Sequence, residues 1–242
     1  MSITRENPLP LYHQLKEAIV EKVENGEWLP GNPIPTELEL QKTYKLSRTT
    51  VRQALGELVA AGTLTRIQGK GTFVAEPKLE AIRPAITSFT HDMSEKGYMV
   101  SSIVLECGDS VANSKIQRLF QLGNDTHIFQ LNRIRLVQGV PIAIQHVSLN
   151  IALTPAIHLE HYDFSQASLY RALAHEGVHL WEAEETVEPE LADPMQAELL
   201  QIPLGALLLS LTRVTNIRDG RPFEYAQTTY RADKYKYSIK LR

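Results

Sequence analysis

The 242-residue sequence predicts an α+β protein of two domains, in which a small helical domain precedes an antiparallel sheet with flanking helices. Residues 1–75 contain three segments of helical periodicity and then a short hairpin, whereas later segments follow the period of a strand. The later part also contains an internal repeat, faint but in order. We therefore predict domains at residues 1–75 and 87–242, joined by a linker at residues 76–86.

Composition limits the class of protein. Apolar residues make up 43% and charged residues 22%, as in soluble globular proteins. The longest uncharged apolar stretch, near residues 202–211, is half the roughly 20 residues that a membrane-spanning helix needs. The N-terminal segment lacks an apolar signal core, and the single Cys107 excludes an internal disulfide. These features predict a cytoplasmic protein in which Cys107 is a buried, small apolar residue.

Three helices are predicted in the first domain. Apolar residues recur every four positions after Pro10, at Leu11, Leu15, Ile19 and Val23. Thr36 and Glu39 have the spacing of a capping box and predict a second helix over residues 37–44. Ser47 is suited to cap a third helix, which Gly62 ends. The second and third helices, separated by a short turn, predict a helix-turn-helix.

A hairpin follows these helices. Residues 64–67 and 72–74 have strand character, and the turn between them contains Gly69, Lys70 and Gly71. A helix-turn-helix followed by such a hairpin is a winged helix-turn-helix.

Charge is concentrated in this domain. The whole chain has a net charge of −3, but residues 42–70 contain six basic side chains against the single acidic Glu57. A basic patch on one small unit of an otherwise acidic chain indicates a nucleic-acid module. Side chains at the start of the third helix would reach the major groove, and the glycines of the turn would let Lys70 approach phosphate. The predicted DNA contacts are Thr36, Ser47, Arg48, Thr49, Thr50, Arg52, Gln53, Gly69 and Lys70.

Four motifs in this domain together resemble a known family. Residues 10–12, 35–37, 47–55 and 68–74 are similar, in order, to the N-terminal domain of GntR-superfamily transcription regulators. The resemblance implies a regulator that binds a palindromic double-stranded DNA operator. One position departs from the family: many members have a basic residue where this chain has Leu38, so a base contact there is not carried over.

The internal repeat organises the second domain. Residues 119–122, 131–134 and 139–142 correspond to residues 199–202, 211–214 and 220–223. Each copy has the pattern of a short helix, a long strand, a glycine turn and a returning strand. The repeat therefore predicts a helix-flanked antiparallel sheet with a pseudo-twofold arrangement.

Strand periodicity brings polar side chains together in this domain. Arg133 and Arg135 would share one face of a strand, about 7 Å apart, and could hold one anion. Glu224 and Tyr230 would share a face of the last predicted strand, and Ser168 would open a helix suited to phosphate or carboxylate. The alternative interpretation of these residues is structural: paired surface arginines, a capping serine and a tyrosine at a sheet edge.

Four motifs in this domain, at residues 88–97, 133–143, 168–170 and 220–231, together resemble the UTRA effector domain of the HutC subfamily. The resemblance implies a chorismate-lyase-like fold, a homodimer built through this domain, and a small-molecule effector. Within the subfamily, repressors of amino-sugar use bind phosphorylated sugars at matching positions, whereas other members respond to urocanate, trehalose phosphate or fatty acids. The predicted effector-binding residues are Phe89, Thr90, Arg133, Arg135, Ser168, Tyr170, Glu224 and Tyr230. The favoured hypothesis is a repressor released by a phosphorylated amino sugar, with a non-sugar carboxylate such as urocanate as the alternative.

A remote alternative is a zinc-dependent hydrolase. His175, Glu176 and His179 match the H-E-x-x-H pattern of metallopeptidases. Both imidazoles would have to lie on one unbroken helix, but Gly177 stands between them where the helix should end. We therefore predict no enzyme activity, no metal and no cofactor.

Overall fold

The computed structural model describes residues 3–4, 7–76, 78–83 and 86–239, without the side chains of residues 80–83. Contacts within the chain divide it into two compact units, Met1–Pro77 and Lys78–Arg242. Each unit has its own buried apolar cluster, so each has a core independent of the other.

The first unit contains the three predicted helices, and the second and third begin at the predicted caps Thr36 and Ser47. They are α1 (Leu11–Glu24), α2 (Glu37–Tyr44) and α3 (Arg48–Ala60). The Thr36 side chain accepts from the Glu39 amide while the Glu39 side chain accepts from the Thr36 amide, which confirms the capping box. Lys45 takes a left-handed conformation (φ 53°) that ends α2 and turns the chain into α3.

The hairpin consists of β1 (Leu64–Ile67) and β2 (Gly71–Val74), which pair antiparallel. Residues 31–34 lie along β2, where the Ile34 amide donates to the Thr72 carbonyl at 2.9 Å. The helices and this hairpin enclose one core that includes Leu15, Leu40, Leu55 and Leu64. The hairpin is therefore fixed to the rest of the unit by both packing and backbone hydrogen bonds.

The second unit is built on a six-stranded antiparallel sheet in the order β4-β5-β6-β9-β8-β7. Its strands are β4 (Val100–Val111), β5 (His127–Val137), β6 (Val140–Leu149), β7 (Leu180–Leu191), β8 (Leu207–Ile217) and β9 (Pro222–Arg231). Its helices are α4 (Phe89–Glu95), α5 (Ser114–Phe120), α6 (Leu169–His175) and α7 (Pro194–Leu200), with two 3-10 helices at Ile151–Leu153 and Leu159–His161. This architecture confirms the predicted α+β fold class.

The predicted repeat is visible in the order of these elements. Helix α4 corresponds to α6, β4 to β7, α5 to α7 and β5 to β8, with the same displacement along the chain each time. Strands β6 and β9, which correspond in the same way, pair with each other at the centre of the sheet, where His146 lies opposite Gln227. That pair marks the pseudo-twofold axis, and each half contributes one helix to each face of the sheet.

Helices α4 and α6 cover one face of the sheet, and α5 and α7 cover the other. Phe129 and Leu131 of β5 pack with α6, whereas Ile128 packs with α5 on the opposite face. This alternation follows the two-residue period of a strand. Because both faces of the central strands are covered, the side chains beneath α4 and α6 lie inside the unit.

Three expectations are wrong. The predicted linker at residues 76–86 contains a strand, β3 (Leu79–Arg83), which pairs in parallel with β10 (Tyr235–Ile239). Pro77, Pro84 and Ala85 of that linker lie outside the described residues. Strand β10 also follows β9, which is therefore not the last strand. Cys107 is exposed because it lies on β4 at the edge of the sheet, where residues 105–107 are all uncovered.

No helix within the described ranges is both long enough and apolar enough to cross a membrane.

Replacing Phe164 tests the core beneath α6. Phe164 is 1% exposed and packs edge-on against Phe129, with ring centroids 6.2 Å apart. We expect Phe164→Ala to lower the free energy of unfolding by about 3–5 kcal/mol, because it removes a buried ring and leaves a cavity. Urea-induced unfolding measures this loss. Leu204→Ala, at a 69% exposed position, is the control and should change little. Equal effects of the two substitutions would contradict this core.

Candidate nucleic-acid interface and anion pocket

The start of α3 presents polar groups at the surface of the first unit. The Ser47 hydroxyl accepts from the Thr50 amide at 3.1 Å, and the two hydroxyl oxygens are 2.7 Å apart. Arg48, Thr49 and Arg52 are exposed beyond this cap. The first turn of α3 thus offers hydroxyl, amide and guanidinium donors on one surface, as recognition of phosphates and base edges requires.

Glu37 gathers three arginines beside this turn. Its carboxylate lies 3.2 Å from Arg66 and 4.0 Å from both Arg48 and Arg52. The arginine side chains are 45–73% exposed, so these ion pairs are weak and solvent-screened. A phosphate or a base edge can therefore replace Glu37 as the partner of the guanidinium groups at little cost.

A groove of about 500 Å³ separates the hairpin turn from the start of α2. Gly69 (φ 74°) and Gly71 (φ 123°) take backbone conformations that favour glycine, and Lys70 between them is exposed. The turn can therefore approach a ligand closely while Lys70 reaches outward.

The structure places all nine predicted DNA contacts on the surface of the first unit, although some have local roles. The Thr36 hydroxyl is held in the capping box, and the Gln53 amide donates to Glu57 at 3.3 Å. Leu38 is 59% exposed beside these residues. Sequence reasoning did not select Glu37 or Arg66 as site residues. The concentration of basic residues between positions 42 and 70 includes Arg66, and it was the signal that could have identified this residue as part of the site.

A second site lies inside the second unit, between the sheet and helices α4 and α6. A cavity of about 40 Å³ is lined by Thr87, Ser88, Phe89, Arg133, Arg135, Gln145, Leu169, Tyr170, Leu211, Arg213, Glu224, Ala226, Thr228 and Tyr230. Such a cavity holds only a few water molecules. A larger ligand must therefore move a covering helix or side chains as it enters.

Two arginines at one end of this pocket have no carboxylate partner. Arg133 and Arg135 are 3% and 2% exposed, and no carboxylate of the described residues lies within 4.0 Å of either. The Arg133 Nε donates to Gln145 at 2.9 Å, and the Arg135 Nη2 donates to Thr90 at 2.6 Å. The Nε of Arg135 has no hydrogen-bond partner in the described part of the chain. The Nη1 of Arg133 donates to the carbonyls of Phe164 and Ala167, both at 3.5 Å. This end of the pocket therefore carries two positive charges, and the Nε of Arg135 is a donor still available to a ligand.

The pKa values of these two arginines also reflect burial without a carboxylate partner. Burial, and then the charge of Arg135, hold the pKa of Arg133 well below its ordinary value. Burial lowers the pKa of Arg135 to about 10. In both cases burial disfavours the charged form of the guanidinium group. An anion bound between the two guanidinium groups would remove this penalty.

The opposite end of the pocket is already neutralised. Arg213 pairs with Glu185, to which its Nε donates at 2.5 Å, and its Nη1 donates to the Tyr170 hydroxyl at 2.8 Å. Tyr170 in turn donates to Glu224 at 2.6 Å. Although burial lowers the pKa of Arg213, Tyr170, Glu224 and Glu185 together raise it above its ordinary value. Burial and Glu224 raise the pKa of Tyr170, so its hydroxyl is a protonated donor.

Six of the eight predicted effector residues line the cavity, namely Phe89, Arg133, Arg135, Tyr170, Glu224 and Tyr230. The other two do not line it. The Thr90 hydroxyl accepts a hydrogen bond from Arg135, and the Ser168 hydroxyl lies 3.3 Å from that of Ser88. Sequence reasoning did not select Arg213 or Gln145 as site residues. The repeat contained the signal for Arg213, because Arg213 and Arg133 occupy matching positions of its two copies.

The hydrolase motif does not form a zinc site. Helix α6 ends at His175, and Gly177 has a φ of 79°, so His179 is not on the same helix. Within the described ranges, one set of three possible metal ligands lies together, His158, Glu160 and His161, and all three are exposed.

Comparisons with known proteins identify both units. The model of "Bacterial regulatory proteins, gntR family" matches residues 11–74, and that of the UTRA domain matches residues 95–236. The chain is 32% identical to the HTH-type transcriptional repressor NagR of Bacillus subtilis (strain 168), over 98% of this chain and 97% of that protein. It is 33% identical to the histidine utilization repressor of Pseudomonas putida, over 87% and 84% of the two chains.

The chain also resembles solved structures over nearly its whole length. The crystal structure of PhnF from Mycobacterium smegmatis has a TM-score of 0.66 and 25% identity, covering 96% of this chain and 98% of that one.

The unpaired arginines predict an unusual response to substitution. We expect Arg135→Met to raise the free energy of unfolding in phosphate-free buffer by about 1 kcal/mol, because it removes a buried charge that lacks a counter-ion. The same variant should lose the stabilisation that inorganic phosphate gives to the unchanged protein. Thermal unfolding with and without phosphate measures both effects.

Arg221→Met is the control for this experiment, because Arg221 is exposed and pairs with Asp219 on the surface. It should leave both quantities unchanged. A destabilised Arg135→Met protein that phosphate still stabilises would show that Arg135 is a structural residue.

Proposed function

The chain belongs to the gntR family of bacterial regulatory proteins and carries a UTRA domain, and on that premise we propose that it is a repressor released from its operator by a small anionic effector. Proteins of this family are transcription regulators and not enzymes, so the hydrolase hypothesis is dropped. The observation that carries the effector proposal is the buried pair Arg133 and Arg135 without a carboxylate partner among the described residues.

We assign operator binding to the first unit. The start of α3 would enter the major groove, where Arg48 and Arg52 leave Glu37 for base edges or phosphates. Lys70 on the hairpin turn would contact phosphate or the minor groove. The exposure of these side chains and the weakness of their ion pairs support this assignment.

The favoured effector is a phosphorylated amino sugar. Arg133 and Arg135 would hold the phosphate through charge-assisted hydrogen bonds, together with the hydroxyls of Thr90 and Ser168. At the other end, the buried carboxylate of Glu224 accepts from Tyr170 and Thr215, and could accept from a sugar hydroxyl or ammonium group. A planar carboxylate such as urocanate would use the same arginines and could donate one imidazole N–H to Glu224. An amino sugar offers several hydroxyl and ammonium donors to this polar end of the pocket, and on that ground we favour the sugar.

Regulation would arise from coupling between the two sites in a homodimer. If the effector prefers a dimer state in which the two winged domains no longer match both operator half-sites, its binding lowers operator affinity. Each winged domain would still contact DNA, but the spacing between them would be lost.

A thermal-shift screen tests the proposed effector class. A ligand that binds only the folded protein raises the unfolding temperature by mass action. We expect amino-sugar phosphates to stabilise the protein more than the matching unphosphorylated sugars and more than urocanate. Stabilisation by urocanate and not by sugar phosphates would select the alternative effector.

Substitutions in the winged domain test the DNA surface. On an operator selected from random duplex DNA, Arg48→Ala and Arg52→Ala should each weaken binding by about 1–3 kcal/mol because each removes a base contact. Lys70→Ala should weaken binding to all sequences and reduce the slope of log affinity against log salt by about one, because it removes a phosphate contact. Fluorescence anisotropy over a salt series measures both quantities. Unchanged binding by all three variants would overturn this surface.

Replacing Arg133 should separate ligand response from repression. We expect Arg133→Ala to bind the operator normally without effector and to release it only at much higher effector concentration, because a charge-assisted hydrogen bond is lost. Arg133→Lys should restore little of the response to effector, since lysine keeps the positive charge but lacks the planar guanidinium group that forms two parallel hydrogen bonds. Effector-dependent operator release and thermal unfolding are measured on the same variants. A destabilised protein with a normal response would support the structural interpretation of the arginines.

A further inference from the structure

The pseudo-twofold axis relates two arginines of the pocket. Arg133 on β5 and Arg213 on β8 each lie on a strand that flanks the central pair β6–β9. Arg133 lies opposite Gln145 of β6, and Arg213 lies opposite Ala226 of β9. Gln145 and Ala226 are themselves related by the repeat. The two halves of the unit thus present an arginine to the same cavity from opposite sides.

The neighbours of these arginines on the edge strands differ in charge. Arg133 lies opposite Val104 of β4, whereas Arg213 lies opposite Glu185 of β7. A bulge in each edge strand sits at a different place, between Val104 and Glu106 in β4 and between Leu180 and Glu182 in β7. One arginine therefore has an apolar neighbour and the other has a carboxylate.

Glu185 is held firmly against Arg213. The Nε and Nη2 of Arg213 both contact the Glu185 carboxylate, and the Tyr237 hydroxyl of β10 donates to the same carboxylate at 2.6 Å. The Glu185 side chain is 13% exposed, so water screens this ion pair only weakly. Arg213 makes no ion pair with Glu224 within 4.0 Å in the described part of the chain. Glu185 is thus the carboxylate that neutralises Arg213 directly.

We propose that Glu185 makes the pocket accept a single anionic group, by occupying Arg213 and leaving the charges of Arg133 and Arg135 for the ligand. This inference rests on the proposed effector site and specifies its ligand class. The ligand carries one anionic head at the Arg133 end and uncharged or cationic hydrogen-bond donors at the Glu224 end. A ligand with anions at both ends is rejected, because its second anion would meet Glu224 and an Arg213 that Glu185 already neutralises.

In this proposal Glu185 is a positioning residue that acts through Arg213. Strands β5 and β8 are separated by β6 and β9, which places the two arginine backbones roughly 14 Å apart across the sheet. A ligand that lies between them could bind in either of two directions if both arginines were equally free. The carboxylate beside Arg213 removes this equivalence and fixes the direction in which the ligand lies.

The test counts phosphate ions bound by the full chain. Isothermal titration with inorganic phosphate should give about one ion per chain for the unchanged protein and about two for Glu185→Gln, because the amide keeps the shape but frees the charge of Arg213. Arg133→Ala should bind none at the phosphate concentrations that saturate the unchanged protein, and Arg133→Ala with Glu185→Gln should bind one again there. Glu188→Gln, on an exposed position of the same strand β7, is the matched control and should behave as the unchanged protein.

The outcomes separate this inference from the proposed effector site. If the unchanged protein binds one phosphate through Arg133 and Glu185→Gln gains none, the effector site stands and the role of Glu185 is overturned. If the unchanged protein binds none and Glu185→Gln binds one, the effector site is wrong and the role of Glu185 stands. A purely structural role for Glu185 predicts a lower unfolding temperature with no change in the number of ions.

A mirror variant covers the case in which Glu185→Gln does not fold. Val104→Glu places a carboxylate opposite Arg133, at the edge strand related to β7 by the repeat. We expect this variant to lose phosphate binding while it keeps operator affinity. Retained phosphate binding by a folded Val104→Glu protein would overturn the proposal.

Discussion

The second unit depends on one unfavourable interaction: two guanidinium groups, those of Arg133 and Arg135, buried side by side without a carboxylate partner among the described residues. An unpaired buried charge costs stability, so the surrounding structure must hold it in place. Both residues lie on β5, which pairs with a strand on either side, and helices α4 and α6 cover that face. An inner strand of a six-stranded sheet cannot bend to expose these charges to water. The cost is therefore retained in the folded protein, where an anion can remove it.

The duplicated architecture explains why the pocket lies at the centre of the sheet. Each half contributes an arginine on its inner strand and a helix above it, and the serines that precede these helices, Ser88 and Ser168, meet at 3.3 Å. Duplication alone would give a pocket with two equivalent ends. The ends differ because one edge strand places Glu185 opposite its arginine and the other places Val104 there. The difference in charge between the ends is thus a local departure from a symmetric framework.

The two units use arginine–carboxylate pairs in opposite ways. At the surface of the first unit, Glu37 faces three arginines at 3.2–4.0 Å in contact with water, where an ion pair contributes little and exchanges readily. In the second unit, Glu185 and Arg213 are largely buried, so breaking that pair would leave a buried charge with neither an ionic partner nor water around it. The exposed cluster can release its arginines to a polyanion, whereas the buried pair stays closed and shapes the pocket around it.

The sequence by itself determined the elements whose signals are local. The capping box at Thr36, the cap at Ser47 and the glycine turn around Lys70 depend on residues within a few positions of one another, and the repeat predicted the antiparallel sheet. The pair Arg133 and Arg135 followed from strand periodicity alone. Only the tertiary structure decided what depends on partners far apart in the chain. Strand β3 forms within the predicted linker because β10, near the other end of the chain, supplies its hydrogen bonds. The carboxylate that neutralises Arg213 comes from another strand whose bulge sets the register, and no spacing in the sequence records where that bulge falls.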